Sequence, residues 1–325
     1  MKALVCKSYD KSFGLEFQTL ETPKPKRDEI LVKIEAAALN FPDTLTIQGK
    51  DQYGLTLPFI PGREYSGQVV EVGSSVLEFK EGDRVMVDAM SGAFQEYACS
   101  NIQQTHKIPD KMSYESAAAF GITYGTAYHA LVDRGNAKSG ETVAILGASG
   151  GVGFAALQLA KLLKLNTIAC VGFEEKKIFC LEQGADEALN YTTEDLKLQL
   201  KVLTEGNGAD LICDMVGSPH TEPAFRAMAW GGRFLVIGFA AGSIAKLPLN
   251  LPLLKGASAV GVFFSTFTQK FPEQHKENMA KLLNWVAEGK LAPHIHTVYP
   301  FDQTPLAFNE LTERRVKGKV VIKMS

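Results

Sequence analysis

The sequence predicts an α/β protein of two domains. One is a doubly wound parallel sheet; the other is mostly β and is built from both ends of the chain. Three observations lead there. Residues up to about 120 read as short strands broken by Gly, Pro and Asp; from about 121 strands and helices alternate; and a last strand, Lys319-Val320-Val321-Ile322, follows that alternation and needs a sheet to join. The first domain is the expected host. The mostly-β domain is therefore drawn as 1–120 with 264–325, and the parallel-sheet domain as 121–263. A chain of 325 residues also exceeds what one ordinary core holds.

Met1-Lys2-Ala3-Leu4-Val5 reads as the first strand, and the partly alternating, β-branched Ile30–Ala36 as another. Tyr65–Gly73 is a strand closed by a glycine turn. Glu81-Gly82-Asp83-Arg84 turns into Val85-Met86-Val87, and Phe94–Cys99 is a further short strand. In the second domain strands are expected at 142–147, 167–171, 187–190, 209–214, 232–238 and 257–262. One helix runs from Glu174 to the C-cap Gly184 and another covers about 194–204; a third carries Pro223 early and ends near Gly231-Gly232. After the last of these strands the pattern predicts one amphipathic helix, about Gln274–Glu288, before the closing strand.

The run Gly147-Ala148-Ser149-Gly150-Gly151-Val152-Gly153 is the strongest functional signal. It follows the apolar strand Glu141–Leu146 and opens the helical Phe154–Ala160. Strand, glycine loop and helix in that order are the context of a dinucleotide-binding loop. Glycines let the backbone approach a pyrophosphate, and the helix N-terminus offers it unpaired N–H groups. The spacing departs from the common G-x-G-x-x-G. Ser149, Gly150, Gly151, Val152 and Gly153 are the candidate phosphate contacts, with a ligand-free glycine turn as the alternative. In a unit that grips a ribose 2′-hydroxyl, an acidic residue closes the second strand. Here that strand is followed by Gly172-Phe173, with Glu174 and Glu175 only in the first turn of the next helix, and then Lys176 and Lys177.

An apolar fraction of 46%, a charged fraction of 22% and a net charge of −2 describe an ordinary globular chain and argue against a nucleic-acid partner. No apolar run is long enough to cross a bilayer, and no secretory signal opens the chain. Five scattered cysteines without a C-x-x-C pair point to free thiols and a cytoplasmic location.

Asn40-Phe41-Pro42-Asp43, Pro61-Gly62-Arg63-Glu64-Tyr65-Ser66-Gly67, Glu81-Gly82-Asp83-Arg84-Val85, Thr126-Ala127-Tyr128, Gly147–Gly153, Gly184-Ala185-Asp186, Asn190-Tyr191 and Gly318-Lys319-Val320-Val321 together resemble the medium-chain dehydrogenase/reductase superfamily. Within it the chain looks most like the zinc-free quinone oxidoreductases, the zeta-crystallin group. The resemblance runs nearly end to end. It implies a GroES-like catalytic domain, a Rossmann domain, hydride transfer from a nicotinamide and a homodimer. Zinc-dependent members carry Cys where this chain has Asn40 and His where it has Arg63, and their four-cysteine structural lobe is reduced to Cys99. Asparagine and arginine cannot replace two of three zinc ligands, so no metal is expected. His294 and His296 could share a strand face, but no third ligand is near in sequence.

The resemblance further implies that Lys176, Tyr191 and Arg314 contact a 2′-phosphate. With the missing acid, this selects NADPH over NADH. It places Asn40 beside the nicotinamide and the substrate carbonyl, Thr126 at the nicotinamide or its ribose, and Ile237, Gly238, Phe263 and Phe264 at the carboxamide end. Gly172 belongs with the cofactor contacts. Asp43 and Arg63 form an ion pair behind the site. Tyr53, in the substrate-facing loop, is the candidate proton donor. Phe41, Tyr53, Phe263, Phe264 and Phe267 are candidates for an aromatic pocket. Glu64 is expected near Lys319, because the family pairs these positions. Each residue also has a structural alternative: a turn cap for Asn40, solvated charges for Lys176 and Arg314, core packing for the phenylalanines. The leading expectation is NADPH-dependent reduction of a quinone. Reduction of an activated C=C bond (enal, enone or enoyl thioester) and a non-catalytic NADPH-binding protein are the alternatives.

Overall fold

The computed structural model describes residues 1–9, 14–50 and 54–324. The chain divides into two compact units, 1–122 with 279–325 and 123–278. The first opens with β1 (Lys2–Cys6), β2 (Leu15–Thr19), β3 (Glu29–Ala38), α1 (Phe41–Thr46), β4 (Glu64–Val72), β5 (Arg84–Asp88), β6 (Tyr97–Asn101), β7 (Thr105–Lys107) and α2 (Tyr114–Ala118). The boundary falls within α3 (Gly121–Tyr128). Then come β8 (Thr142–Leu146), α4 (Gly151–Leu162), β9 (Asn166–Val171), α5 (Glu174–Glu182), β10 (Glu187–Asn190), α6 (Leu196–Leu203), β11 (Ala209–Asp214), α7 (Thr221–Arg226), β12 (Met228–Val236), α8 (Asn250–Lys255), β13 (Ser258–Gly261) and α9 (Phe264–Lys270). The second boundary lies within α10 (Pro272–Ala287), after which β14 (Ile295–Pro300), α11 (Thr304–Thr312) and β15 (Lys319–Lys323) complete the first unit.

The second unit is a six-stranded sheet in the order β10-β9-β8-β11-β12-β13, parallel at every pairing. Helices on both faces explain why Val143–Leu146 and Thr167–Val171 are buried without alternation. The strand order reverses between β8 and β11, the switch point at which such sheets receive ligands. Leu146, Ile168, Leu189, Ile212 and Phe234 form part of its core.

In the first unit the sheet order is β14-β15-β3-β4-β5-β7, with β6 also on β3. The closing strand joins here: β15 runs antiparallel to β3, with Val321 opposite Ala38 and Ile322 opposite Ala37. Ile30, Val32, Ile34, Tyr65, Phe308 and Val320 pack in the core beneath it. The domain is discontinuous and mostly β, as expected.

Three sequence expectations are corrected. The second boundary lies at 278/279 and not 263/264, because Phe264 and Phe267 of α9 are buried against His129 within the second unit. The helix with Pro223 ends at Arg226 and not near Gly231, because β12 has already begun at Met228, which pairs with Ala209. The C-terminal segment holds β14 and α11 besides the expected helix. Strand β14 was hidden by its half-exposed pattern and its end at Pro300.

Candidate active site

Asn40 leaves β3 in an extended conformation (φ −121°, ψ 151°), and Pro42 suits the first turn of α1. Asp43 reaches back to accept the Asn40 backbone N–H at 2.8 Å. Closing the helix start from Asp43 leaves the Asn40 side chain for other partners. Its Nδ2 donates to Glu64 Oε1 at 2.9 Å, and its Oδ1 accepts from Lys319 Nζ at 2.7 Å. Lys319 also donates to Glu64 Oε1 at 2.6 Å and to the Leu39 carbonyl at 2.7 Å. All three ammonium hydrogens are thereby placed. Glu64 Oε2 accepts the Ile122 N–H at 3.2 Å. Asn40, Glu64 and Lys319 are all buried. The Glu64–Lys319 pairing is the one the resemblance implied.

Behind this group Arg63 Nε lies 3.6 Å from Asp43 Oδ1, and Arg63 Nη2 donates to Thr46 Oγ1 at 3.0 Å. Burial pushes the Asp43 carboxyl up to about 6 against the pull of Arg63. Directly opposite Glu64 in the β4–β5 ladder stands Asp88, which sequence reasoning did not single out. Neither of its buried carboxyl oxygens has a hydrogen-bond partner. Burial, then the Glu64 carboxylate, push it well above the carboxylate range; Lys319 pulls the other way. His106 on β7 offers a ring nitrogen within 4.8 Å of this carboxyl.

Above the ordinary aspartate value of 3.8, folded Asp88 keeps a proton that the unfolded chain releases. The folded state then binds more protons than the unfolded, and stability falls as pH rises through that window. Asp88→Asn is therefore expected to raise the melting temperature at neutral pH and to leave it unchanged near about pH 2.5, well below the ordinary aspartate value, where both forms are neutral. Thermal melts at the two pH values check this. An equal difference at both would contradict it.

In the second unit, Gly150 precedes α4 and the first-turn N–H groups of Gly151, Val152 and Gly153 have no partner within the helix. Ser149 is buried at the same turn. A Cβ on Gly153 would lie 2.2 Å from the Gly147 carbonyl, so only glycine lets this helix pack so close to the loop. Strand β9 ends at Val171 with no acid after it. A Cβ on Gly172 would meet the Tyr191 hydroxyl at 3.4 Å, which places that phenol beside the end of β9. The Tyr191 ring packs 4.1 Å from that of His220. The two lysines differ: Lys177 is 3.0 Å from Glu194, whereas the Lys176 ammonium lies over the Phe173 ring at 5.5 Å. Ile237 and Gly238 follow β12, and both donate backbone N–H groups to the Asp214 carbonyl, at 3.0 and 3.1 Å. Thr126 is buried in α3.

The expected aromatic pocket is not assembled from all its members. Phe264 and Phe267 are core residues, and Phe267 stacks on His129 at 3.9 Å; Phe263 is half exposed at the start of α9. Phe41 opens α1 in the first unit, and Tyr53 lies outside the described residues. Arg314 belongs to the first unit, just past α11, in a left-handed conformation (φ 57°).

Residues 26–134 match the alcohol dehydrogenase GroES-like domain, and residues 183–322 match the zinc-binding dehydrogenase domain. The quinone oxidoreductase-like protein 2 of Bos taurus is 36% identical over 93% of this chain and 87% of its own length. Human quinone oxidoreductase is 31% identical over 93% of this chain and 91% of its own. The chain belongs to the medium-chain dehydrogenase/reductase superfamily. The solved Escherichia coli quinone oxidoreductase, complexed with NADPH, superimposes on this superfamily member with a TM-score of 0.92 at 26% identity, covering 100% of both chains.

The dehydrogenase domain is named for zinc, yet this member's donor set suits that ion poorly. At two of the ligand positions stand Asn40, held by an ammonium and a carboxylate, and Arg63, itself a cation. Cys99 is the lone cysteine where the zinc lobe would lie, and burial pushes its thiol up to about 11. His294 and His296 gain no third His, Cys, Asp or Glu ligand among the described residues.

Proposed function

We propose that this member of the superfamily is an NADPH-dependent reductase whose acceptor is a quinone. The observation that carries the reading is the end of β9. No carboxylate closes that strand, and the Tyr191 phenol and Lys176 beside it are the kinds of group a 2′-phosphate rewards. Ser149, Gly150, Gly151, Val152 and Gly153 would hold the pyrophosphate, with Thr126, Ile237, Gly238 and Phe263 toward the nicotinamide and Arg314 as a further phosphate contact. Bound there, NADPH supplies a hydride. Asn40 then donates an N–H to the acceptor oxygen as negative charge grows on it, and solvent supplies the proton. The names of the relatives support a quinone as acceptor.

A homodimer fits the edge of the parallel sheet. Among the described residues strand β13 has a partner on one side only, and Trp230, Leu249, Leu253 and Leu254 are exposed. No described helix is long and apolar enough to cross a membrane, and five free cysteines suit a reducing cytoplasm.

The test is NADPH oxidation against a panel of quinones, enones and enoyl thioesters. Turnover with quinones supports the reading. Turnover with enones or enoyl thioesters alone replaces quinone by an activated C=C bond, and none with any acceptor leaves a non-catalytic NADPH binder. The reading is also zinc-free. Protein purified without added metal is expected to contain no stoichiometric zinc by elemental analysis and to keep its activity in chelator; activity lost to chelation and restored by zinc would contradict this.

A further inference from the structure

We propose that Lys319 is a positioning residue for the reduction, holding the Asn40 amide with an N–H toward the acceptor oxygen; the inference rests on the reading of the protein as a reductase. The Asn40 amide sits between opposite charges. Its Oδ1 accepts from the Lys319 ammonium at 2.7 Å, and its Nδ2 donates to the Glu64 carboxylate at 2.9 Å. Turning the amide over would set its oxygen against the carboxylate and its NH₂ against the ammonium. Both contacts would become repulsive in a buried place where they are poorly screened. Lys319 cannot swing away cheaply, since its other two hydrogens are on Glu64 and the Leu39 carbonyl, and Glu64 is held again by the Ile122 N–H.

Of the two Nδ2 hydrogens, Glu64 takes one, and among the described residues no acceptor takes the other. The ammonium on Oδ1 draws electron density from the amide and strengthens that remaining donor. This has a consequence for the acceptor. With the Lys319 ammonium on Oδ1, its positive charge disfavours a second proton donor there, so a substrate group at Asn40 is met chiefly by the remaining N–H. A carbonyl oxygen that becomes an alkoxide-like or phenolate-like oxygen fits; a hydroxyl is favoured only when it approaches through its lone pairs. The network thus selects carbonyl-bearing acceptors by polarity, before shape is considered.

The test is a double-mutant cycle on the rate of NADPH oxidation by a simple benzoquinone in stopped flow. The variants are Asn40→Ala, the pair Glu64→Gln with Lys319→Met, and their combination. Making the pair together avoids leaving a buried carboxylate unmatched. Asn40→Ala is expected to slow the step about tenfold to a hundredfold, less than a full oxyanion-hole deletion because a quinone spreads its charge. The pair slows it comparably, and the combination is within about threefold of Asn40→Ala alone, since Lys319 acts through Asn40. The dissociation constant of NADPH stays within about threefold in all three. Losses that multiply in the combination would overturn the proposal. A second readout needs no turnover. Hydrogen exchange of the Asn40 side-chain amide, followed by NMR on nitrogen-labelled protein, is expected to accelerate in the pair variant, and unchanged exchange would overturn the proposal. A wild type that oxidises no NADPH with quinone would instead sink the reductase reading, while amide exchange still decides whether Lys319 holds Asn40.

Discussion

Replacing Lys319 alone by methionine is expected to destabilise the protein by about 3–5 kcal/mol, the range found when one partner of a buried ion pair is removed. Glu64 is almost wholly buried, and Lys319 is its only charged partner at 2.6 Å among the described residues. The methionine fills the space but leaves the carboxylate with two amide donors, Asn40 Nδ2 and the Ile122 N–H, and no compensating charge. The same substitution loosens the tie between β15 and the segment after β3, because the Leu39 carbonyl loses its ammonium donor. Adding Glu64→Gln should recover most of the loss, since it removes the unmatched charge, although the single glutamine oxygen can accept from only one of the two donors, which sit on different carboxylate oxygens. Urea denaturation of the single and paired variants measures this. A single variant no less stable than the pair would contradict it.

Lys176→Ala is expected to weaken NADPH binding about ten- to a hundredfold, which is the worth of one hydrogen bond to a charged group, and to leave NADH binding unchanged. Lys177→Ala is the control on the same turn. Its ammonium is already 3.0 Å from Glu194 and 4.0 Å from Glu174, so its loss should change NADPH binding little. Fluorescence titration of both cofactors into the three proteins checks this. Equal weakening of NADPH and NADH by Lys176→Ala would show that the lysine does not meet the 2′-phosphate.

How much of this was legible in the sequence varied with the kind of signal. The strands of the parallel sheet were readable because burial on both faces demands continuous apolar runs such as Val143–Leu146, and helices set them apart. Helices α1 and α2, of 6 and 5 residues, are too short to show a period. The end of α7 was misplaced because Gly231-Gly232 looks like a helix stop, whereas it lies inside β12. At the site, the Asp43–Arg63 pair and the Glu64–Lys319 pair were expected only because the family resemblance placed them. No local pattern joins Glu64 to a lysine 255 residues away. The part played by Asn40 within that pair depends on side-chain orientation, which spacing does not encode. Asp88 carried no signal, since Val85-Met86-Val87-Asp88 reads as any strand running into a turn. Nor could the sequence distinguish Lys176 from Lys177, because Glu194, which takes up Lys177, arrives from another element.

The proposed reaction, hydride transfer from NADPH to a quinone, is tested by single-turnover stopped flow with NADPH deuterated at the transferred C4 position. Mixing the NADPH-loaded wild type with a benzoquinone is expected to oxidise the bound cofactor, with a clear primary isotope effect from one C4 face and none from the other. NADPH that stays reduced, or oxidation with no isotope effect from either face, would contradict it.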